Sequence, residues 1–312
     1  MATPIKWRSK ILLCKIETEY GEDAEPTAAA NAVLATDVVW TPMEGNDVSR
    51  NLETPYLGGQ PTIASELHAR LTFKVELAPS GTAGTAPAWG PMMRACAVAE
   101  VVTAGTSVVY NPVSDEHESA TFYLHIGGTR YVMYGARGNV RYVLGAQGIV
   151  YLEFTFTGLY DTPSEAARAT PALSAFKAPQ IASQRNTATF TMGGVSPVLR
   201  NLTLDLGNTV EARFLIGSEG ILITDKQDMV EMTIEALPLT TINPFSLAET
   251  QTAVALQLVH GTGAGRIATL DIDRLQMQRP QGLTNAQGIK EWPLRGIPLP
   301  DAGNDQWTLT LT

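Results

Sequence analysis

Alternation between hydrophobic and polar residues is the main pattern along this chain, and it predicts β-strands. In residues 71–77 the apolar side chains occupy every second position, with Thr72, Lys74 and Glu76 between them. This spacing is typical of a strand with one buried face and one solvent-facing face. Residues 122–126 and 150–156 show the same alternation. Strands are therefore expected to form most of the fold.

Tight turns are predicted where glycine or asparagine interrupts this alternation. Gly138 and Asn139 separate two strand-like stretches, and both residue types tolerate the positive φ that tight hairpins require. We therefore expect a hairpin turn at residues 136–139. A second kind of interruption spans residues 41–66, a long polar stretch without periodicity, which is expected to be an arm loop.

Helical spacing is confined to two short segments. The first covers residues 89–100, where a proline lies near the start and apolar residues follow at helical intervals. The second begins at Asn243 and Pro244, where Asn is a suitable N-cap and Pro suits the first helical position. Each helix is expected to flank one sheet and to cover part of it.

The order of these elements occurs twice, which predicts two copies of one domain. The first series starts near Leu71 and includes the Gly-Ile pair at residues 148–149, whereas the second starts near Val230 and includes the pair at residues 288–289. A repeat of roughly 150 residues is a domain duplication rather than a solenoid. The expected organisation is a β domain over residues 1–161, a Pro/Ala/Ser linker over residues 162–186, and a second β domain over residues 187–312.

Composition and charge narrow the classes of function. The 312 residues carry a net charge of −9, and only 17% of them are charged, below the quarter or so that is usual in soluble proteins. An acidic chain does not favour tight binding of nucleic acid, although DNA can slide past a surface that repels it. No apolar run is long enough for a membrane span, and residues 1–10 lack a secretion signal. We therefore expect synthesis and assembly in a cytoplasm.

No set of residues predicts catalysis, metal binding or a cofactor. His117 lies among acidic residues, but a solvated turn accounts for that cluster better than a metal site. The glycine-rich residues 261–265 precede a strand-like run instead of a helix, so a hairpin turn is favoured over a phosphate loop. Cys14 and Cys96 are expected to be buried free thiols.

Three N-terminal segments resemble a known family. Residues 15–27, residues 32–37 and residues 42–50 are similar to the N-terminal region of major tail tube proteins from bacteriophages with long, non-contractile tails. The resemblance is strongest over residues 11–160 and includes the Glu-Tyr-Gly-Glu-Asp stretch. It implies β-sandwich or half-barrel domains with one short flanking helix, whose inner strands join those of neighbouring subunits around a hollow ring.

The resemblance also implies the function and partners of the chain. It implies a structural, non-enzymatic subunit of the virion tail tube, assembled in the bacterial host cytoplasm. Family members with one domain form hexameric rings, so a chain with two domains implies trimeric rings with pseudo-sixfold symmetry. The expected partners are other copies of the chain and the tail terminator, tape measure and tail-tip proteins. DNA is expected to pass through an acidic lumen without specific binding, and no membrane contact is expected.

Two groups of residues are candidates for assembly sites within this interpretation. The arm loop would contact the next ring, with the candidate contacts Glu44, Asp47, Arg50, Glu53 and Tyr56. The lumen would be lined by polar strand residues, with the candidates Glu76, Glu153, Thr155, Glu231, Thr233 and Glu235.

Two alternative functions remain compatible with the sequence. One is a different β-rich virion component, such as a tail-tip, decoration or receptor-binding protein. The other is a carbohydrate-binding protein or enzyme on a β-sandwich, in which Trp40, Trp89 and Trp292 would stack against sugars.

Overall fold

The computed structural model describes residues 4–312, and its regular secondary structure consists almost entirely of β-strands. The first half of the chain contains β1 (Lys10–Ile16), β2 (Ala32–Val33), β3 (Thr36–Ser49), β4 (Thr62–Glu76), α1 (Gly90–Arg94), β5 (Val98–Thr103), β6 (Ser107–Pro112), β7 (Ala120–Ile126), β8 (Thr129–Gly145), β9 (Tyr151–Tyr160) and β10 (Ser164–Glu165). The second half contains β11 (Thr189–Met192), β12 (Leu199–Asp205), β13 (Asn208–Leu215), β14 (Ser218–Lys226), β15 (Met229–Glu235), α2 (Pro244–Glu249), β16 (Ala253–His260), β17 (Ala268–Met277), β18 (Thr284–Ala286), β19 (Ile289–Pro298) and β20 (Thr308–Leu311). Within residues 4–312, neither helix is long and apolar enough to cross a membrane.

The strands of the two halves pair in the same spatial order. In the first half the antiparallel order is β3-β4-β9-β8-β7-β1-β2. In the second half it is β12-β15-β19-β17-β16-β11. The short strands β10 and β20 also take matching places, because each pairs with the start of the long strand β8 or β17. Each half carries its helix directly after the strand β4 or β15.

Each sheet curls over a hydrophobic interior to form a β-sandwich. In the first half, the inward side chains of strands that are not neighbours in the sheet meet in an aromatic cluster. Phe122 of β7 lies with its ring centroid 4.6 Å from that of Phe156 on β9 and 6.2 Å from that of Phe73 on β4. The buried hydrophobic core that contains these rings continues through both halves of the chain.

Two strand pairings join the halves. β8 runs beyond β7 and pairs with β12, so that residues 141–145 lie opposite residues 201–205. β20, the last strand of the chain, pairs with β6 of the first half. Pairing at sheet edges satisfies backbone N–H and C=O groups that would otherwise stay open. The network of backbone hydrogen bonds between strands is therefore continuous across the two halves.

Most of the predicted strands and both predicted helices are present. Strands cover residues 71–76, 122–126 and 151–156. The side chain of Asn243 accepts hydrogen bonds from the backbone N–H groups of Phe245 and Ser246, each at 3.1 Å, and so caps α2 as expected. The first helix is shorter than the predicted residues 89–100, because α1 ends at Arg94 and β5 begins four residues later.

The predicted turn at residues 136–139 is wrong. β8 runs without interruption through this segment, and the turns lie instead at residues 127–128 and 146–150. Gly138 serves close packing rather than a turn. A Cβ atom there would lie 2.5 Å from the Phe156 ring and 2.4 Å from the carbonyl oxygen of Thr155. A glycine in a strand interior often marks such a close approach.

The predicted loop over residues 41–66 is also wrong for most of its length. β3 and β4 extend through it as a long hairpin, and only residues 50–61 connect the strands without regular pairing. The pairing shifts register on both sides of Glu44. Such bulges break the alternation from which a strand is predicted. Gly45 lies in this region, where a Cβ atom would approach the carbonyl oxygen of Ser65 to 2.5 Å.

The two cysteines are free and buried, as the sequence predicts. Burial raises the pKa of the Cys14 thiol and of the Cys96 thiol. Residues 162–186 have little regular structure apart from β10, in keeping with their Pro/Ala/Ser composition.

Candidate assembly surfaces

One face of the joined sheet carries mainly polar side chains. We define the polar face as the side of β4, β9, β8, β12 and β15 opposite the hydrophobic core. Side chains alternate between the two faces of a strand, and directly opposed residues share a face. On β4, for example, Leu71 and Phe73 are buried whereas Thr72, Lys74 and Glu76 reach the polar face. The polar face crosses from the first half to the second at the pairing of β8 with β12.

Alternating charges form an ion-pair ladder that starts at Asp37 on the adjoining strand β3 and crosses four strands of this surface. Lys74 Nζ lies 3.4 Å from Asp37 Oδ2 and 3.1 Å from Glu153 Oε1. Arg141 Nη1 lies 3.6 Å from Glu153 Oε2, and its Nε lies 3.3 Å from Asp205 Oδ2. The hydrogen bond to Glu153 raises the pKa of Lys74. The ladder links β3, β4, β9, β8 and β12, so it crosses the junction between the halves.

All of the predicted lumen residues lie on the polar face. This group comprises Glu76, Glu153, Thr155, Glu231, Thr233 and Glu235. Their side chains are half-buried or exposed.

The carboxylates of this group differ in their partners. Glu153 belongs to the ladder, and Glu231 forms an ion pair with Arg295, whose Nε lies 3.0 Å from Glu231 Oε1. Among residues 4–312, no basic side chain lies within ion-pair distance of Glu76 or Glu235. Unpaired negative charge on the polar face is therefore contributed mainly by these two glutamates.

The predicted arm residues lie far along the β3–β4 hairpin, at and near its tip. Glu44 and Asp47 are on β3, and Glu44 Oε2 lies 3.5 Å from His68 Nε2 on the neighbouring strand. Arg50, Glu53 and Tyr56 belong to the connecting residues 50–61. The Tyr56 side chain is 80% exposed. The tip of the hairpin is therefore available to contact another molecule.

A different hairpin occupies the corresponding position in the second half. β13 and β14 connect β12 to β15 just as residues 50–61 connect β3 to β4. This hairpin packs back onto the first half, where the Tyr20 hydroxyl accepts a hydrogen bond from Ile221 N at 2.6 Å. Arg137 Nη1 donates to Ile221 O at 2.9 Å. The hairpin of the second half is thus anchored within the chain along β14.

A comparison with known protein families matches residues 7–303 to the phage tail tube proteins. The chain belongs to the phage tail tube protein family. None of the curated proteins compared with it matches significantly.

Membership of this family gives the tail tube protein a structural role. Phage tail tube proteins are virion components that assemble with themselves into the tube of the tail. The match spans both halves of the chain, so it extends well beyond the N-terminal segments that carried the resemblance. Within residues 4–312, no cluster of His, Cys, Asp and Glu has the arrangement of a metal site.

The tryptophans proposed for sugar stacking do not form a common surface in the tail tube protein. Trp89 and Trp292 are each only 1% exposed, and the Trp89 indole N–H donates to the carbonyl oxygen of Ala78 at 3.0 Å. Trp40 is half-buried beside Tyr131. Two of the three rings therefore belong to the core, and the sugar-stacking interpretation is wrong for them.

Several exposed apolar residues were not singled out by the sequence. Val39 on β3 is 59% exposed, Leu57 in the arm is fully exposed, and Leu283 and Ile289 beside β18 are 61% and 51% exposed. A sequence pattern assigns such residues to the core by default. The three-dimensional structure of the tail tube protein is needed to show that these residues lie at strand edges or in connecting segments that are open to solvent.

Proposed function

We propose that the chain is the repeating subunit of a tail tube made of stacked trimeric rings, each with pseudo-sixfold symmetry. Each chain would supply two tail-tube-like domains, residues 1–161 and residues 187–312, connected by residues 162–186. The polar face would line an acidic lumen through which DNA passes without specific binding.

The observation that carries this proposal is the edge-to-edge junction of two halves with one strand order. β8 of the first half pairs with β12 of the second, and this pairing places both polar surfaces on the same side. Repetition of such a junction around an axis would close a ring and leave no open strand edge. Three chains would then provide six similar units.

Charge on the polar face supports its placement in the lumen. DNA is a dense polyanion that adheres to clustered, unpaired Lys and Arg. The cations of the ladder are instead neutralised by carboxylates, and the unpaired negative charges of Glu76 and Glu235 exceed the single charge of Arg70, which is exposed on β4 without an ion pair to any of residues 4–312. A lumen of this kind would repel the phosphate backbone and let DNA slide.

The arm supports contact between successive rings. The connecting residues 50–61 hold exposed aromatic and aliphatic side chains at the end of a long hairpin, and exposed apolar groups at such a tip are typical of docking sites. Glu44, Asp47, Arg50 and Glu53 would add polar contacts there. The ends of the tube would meet the tail terminator and tail-tip proteins, and the tape measure protein would occupy the lumen during assembly in the host cytoplasm.

Electron microscopy of the purified full-length protein tests the proposal. We expect rings or hollow tubes whose averaged cross-section has threefold symmetry with six similar lobes. Dispersed monomers at high protein concentration, or rings of six chains, would overturn the trimeric arrangement.

Charge reversal tests the lumen. In phage carrying Glu76→Lys and Glu235→Lys, we expect tails of normal length but slower DNA ejection, because unpaired cations would bind the DNA backbone. Glu249→Lys, on the exposed surface of α2, is the matched control and is expected to have no effect. Equal rates of DNA ejection by the unmodified phage, the phage with both substitutions and the control phage would contradict the placement of the polar face in the lumen.

A further inference from the structure

We propose that the outer edge of β3 pairs with β18 of a second copy of this chain, in the register that β12 and β8 adopt within one chain. This inference rests on the proposed function, and it adds the residues that close the ring. The occupant of the β3 edge is thus another molecule of the same protein.

In the described part of the chain, β3 and β18 have no strand partner at their outer edges, and they are the counterparts of β12 and the end of β8, whose pairing is called the internal junction. At the β3 edge, the Lys10 ammonium donates to the carbonyl oxygen of Val38 at 2.7 Å. Within residues 4–312, β3 pairs with β4 alone and β18 pairs with β19 alone. β3 holds the place in its half that β12 holds in the second half, since each pairs with the strand directly before the helix. β18 holds the place of the end of β8, since each forms a hairpin with the next long strand. β12 and the end of β8 are paired with each other.

Matching pairs fix the residues of β18 that correspond to those of β8. Tyr151 and Glu291 occupy the same position in β9 and β19, because each lies opposite the last residue of the preceding long strand, β4 or β15. Tyr151 also lies opposite Val143 of β8. Glu291 lies opposite Thr284 of β18. Thr284 therefore corresponds to Val143.

The same reasoning fixes the residues of β3. Thr203 of β12 lies opposite Glu231, and Val39 of β3 lies opposite Thr72. Glu231 and Thr72 occupy matching positions, four residues before the ends of β15 and β4. Val39 therefore corresponds to Thr203. Since Thr203 lies opposite Val143 in the internal junction, Val39 of one chain would lie opposite Thr284 of the next. Trp40 would then lie opposite Leu283.

Exposure of apolar side chains supports the pairing. In the internal junction, the opposed residues Tyr142 and Leu204 are 5% and 2% exposed. At the free edges, Leu283 is 61% exposed and Val39 is 59% exposed. Edge strands that remain in solvent usually carry charges or proline as protection against pairing. β3 carries residues of this kind at Asp37 and Pro42, but the exposed Val39 lies between them. Val39 and Leu283 therefore indicate surfaces that become covered in an assembly.

The shape of the surface next to β3 also fits the neighbouring hairpin. In the internal junction, the turn between β8 and β9 docks beside the chain that leads into β11. Gln147 N donates to Ala182 O at 2.7 Å, and Ala182 N donates to Gly148 O at 2.9 Å. In the first half, an open groove of about 750 Å³ lies between the chain that leads into β1, including Trp7 and Arg8, and the start of β3. The turn between β18 and β19 would enter this groove.

Site-directed disulfides test the register. The full-length chain with Val39→Cys and Thr284→Cys is oxidised after assembly and separated on a denaturing gel without reductant. Directly opposed residues of an antiparallel pair lie within disulfide distance. We therefore expect covalent dimers and trimers. The buried native cysteines Cys14 and Cys96 are not expected to react.

Two matched variants control this experiment. Val143→Cys with Thr203→Cys reproduces the same opposition inside one chain and should give a cross-linked monomer. Val39→Cys with Glu249→Cys combines the β3 edge with an exposed position on α2 and should give no cross-linked oligomers. Rings without cross-links between positions 39 and 284 would overturn the junction and leave the ring itself standing. Absence of rings from the unmodified protein would overturn the proposed function and the junction together.

A second pair of variants covers the case in which the cysteines disturb assembly. Leu283→Lys places a charge on the β18 edge, whereas Leu239→Lys places it on a loop where the leucine is similarly exposed, at 52%. Both variants should fold, as judged by their circular dichroism. We expect Leu283→Lys to lower ring formation at least tenfold and Leu239→Lys to leave it unchanged. Equal assembly of the two variants would overturn the proposal.

Discussion

Leu204 of β12 lies opposite Tyr142 of β8, and both side chains are buried although they come from different halves of the chain. The same strands carry Asp205 opposite Arg141 on the polar face, where the two side chains form an ion pair. One junction thus has an apolar side and a charged side. These sides are expected to contribute very differently to stability.

Truncation of Leu204 should cost far more stability than truncation of Arg141. Leu204→Ala removes a side chain that is 2% exposed, and such cavities cost about 2–5 kcal/mol. The Arg141 side chain is 45% exposed, and ion pairs of this kind contribute at most about 1 kcal/mol. Urea denaturation of the two variants measures the difference. A larger loss for Arg141→Ala would show that charge, not burial, holds the junction together.

Gly138 should not tolerate a methyl group, whereas Gly145 on the same strand should. The Cβ of Gly138→Ala would clash with Thr155 and the Phe156 ring, but no atom lies within 4 Å of a Cβ at Gly145. Overpacking of a core costs about 1–3 kcal/mol. Thermal unfolding should therefore show a lower midpoint for Gly138→Ala and little change for Gly145→Ala. Similar midpoints for both would mean that β8 shifts to accommodate the methyl group.

Stability should decrease as the pH falls below about 6.5, and His260 should contribute to this decrease. Burial lowers the pKa of the His260 imidazole below its ordinary value of 6.5. The unfolded chain then binds more protons than the folded chain, so acid favours unfolding, by up to about 1.4 kcal/mol per pH unit. His260→Gln should flatten the dependence of the urea midpoint on pH between 7 and 5.5. An unchanged slope would exclude His260 as a source.

The exposed tip of the β3–β4 hairpin should matter for assembly and not for folding. Tyr56 is 80% exposed and Leu57 is fully exposed, so Tyr56→Ala with Leu57→Ala should leave thermal unfolding within about 0.5 kcal/mol of the unmodified protein. Electron micrographs should show single rings in place of tubes. Ile216→Ala, at the equally exposed tip of the β13–β14 hairpin, is the control. Tubes of normal length in the Tyr56 and Leu57 variant would contradict the role of the arm.

The sequence predicts those parts of the fold in which local pattern and tertiary structure agree. Strand alternation in residues 71–77 reports directly on a sheet with one buried face, and Asn243 with Pro244 marks a helix start through local hydrogen bonding. Gly138 misleads because a turn and a close approach to Phe156 require the same residue type. Only the position of the neighbouring strand distinguishes the two uses.

The assembly surfaces are less predictable for a related reason. Alternation predicts the polar side of each strand on which the six lumen candidates lie, and the structure has all six on the polar face. Alternation does not tell which carboxylates have cationic partners. That depends on pairings such as Lys74 with Glu153, which join residues far apart in sequence. Bulges beside Glu44 likewise hide the strands of the arm, because each extra residue reverses the alternation.

The irregular residues 162–186 tether the halves of the chain on either side of the β8–β12 junction. A tether fixes the effective concentration of two surfaces, typically in the millimolar range, whatever the amount of protein in solution. Separate chains are not tethered to each other, so the fraction of chains that are associated falls as the protein is diluted. Dilution should therefore release intact chains, each with its own β8–β12 pairing still formed. In the proposed trimeric ring, three such chains reassemble in two bimolecular encounters, whereas six separate single-domain units would need five.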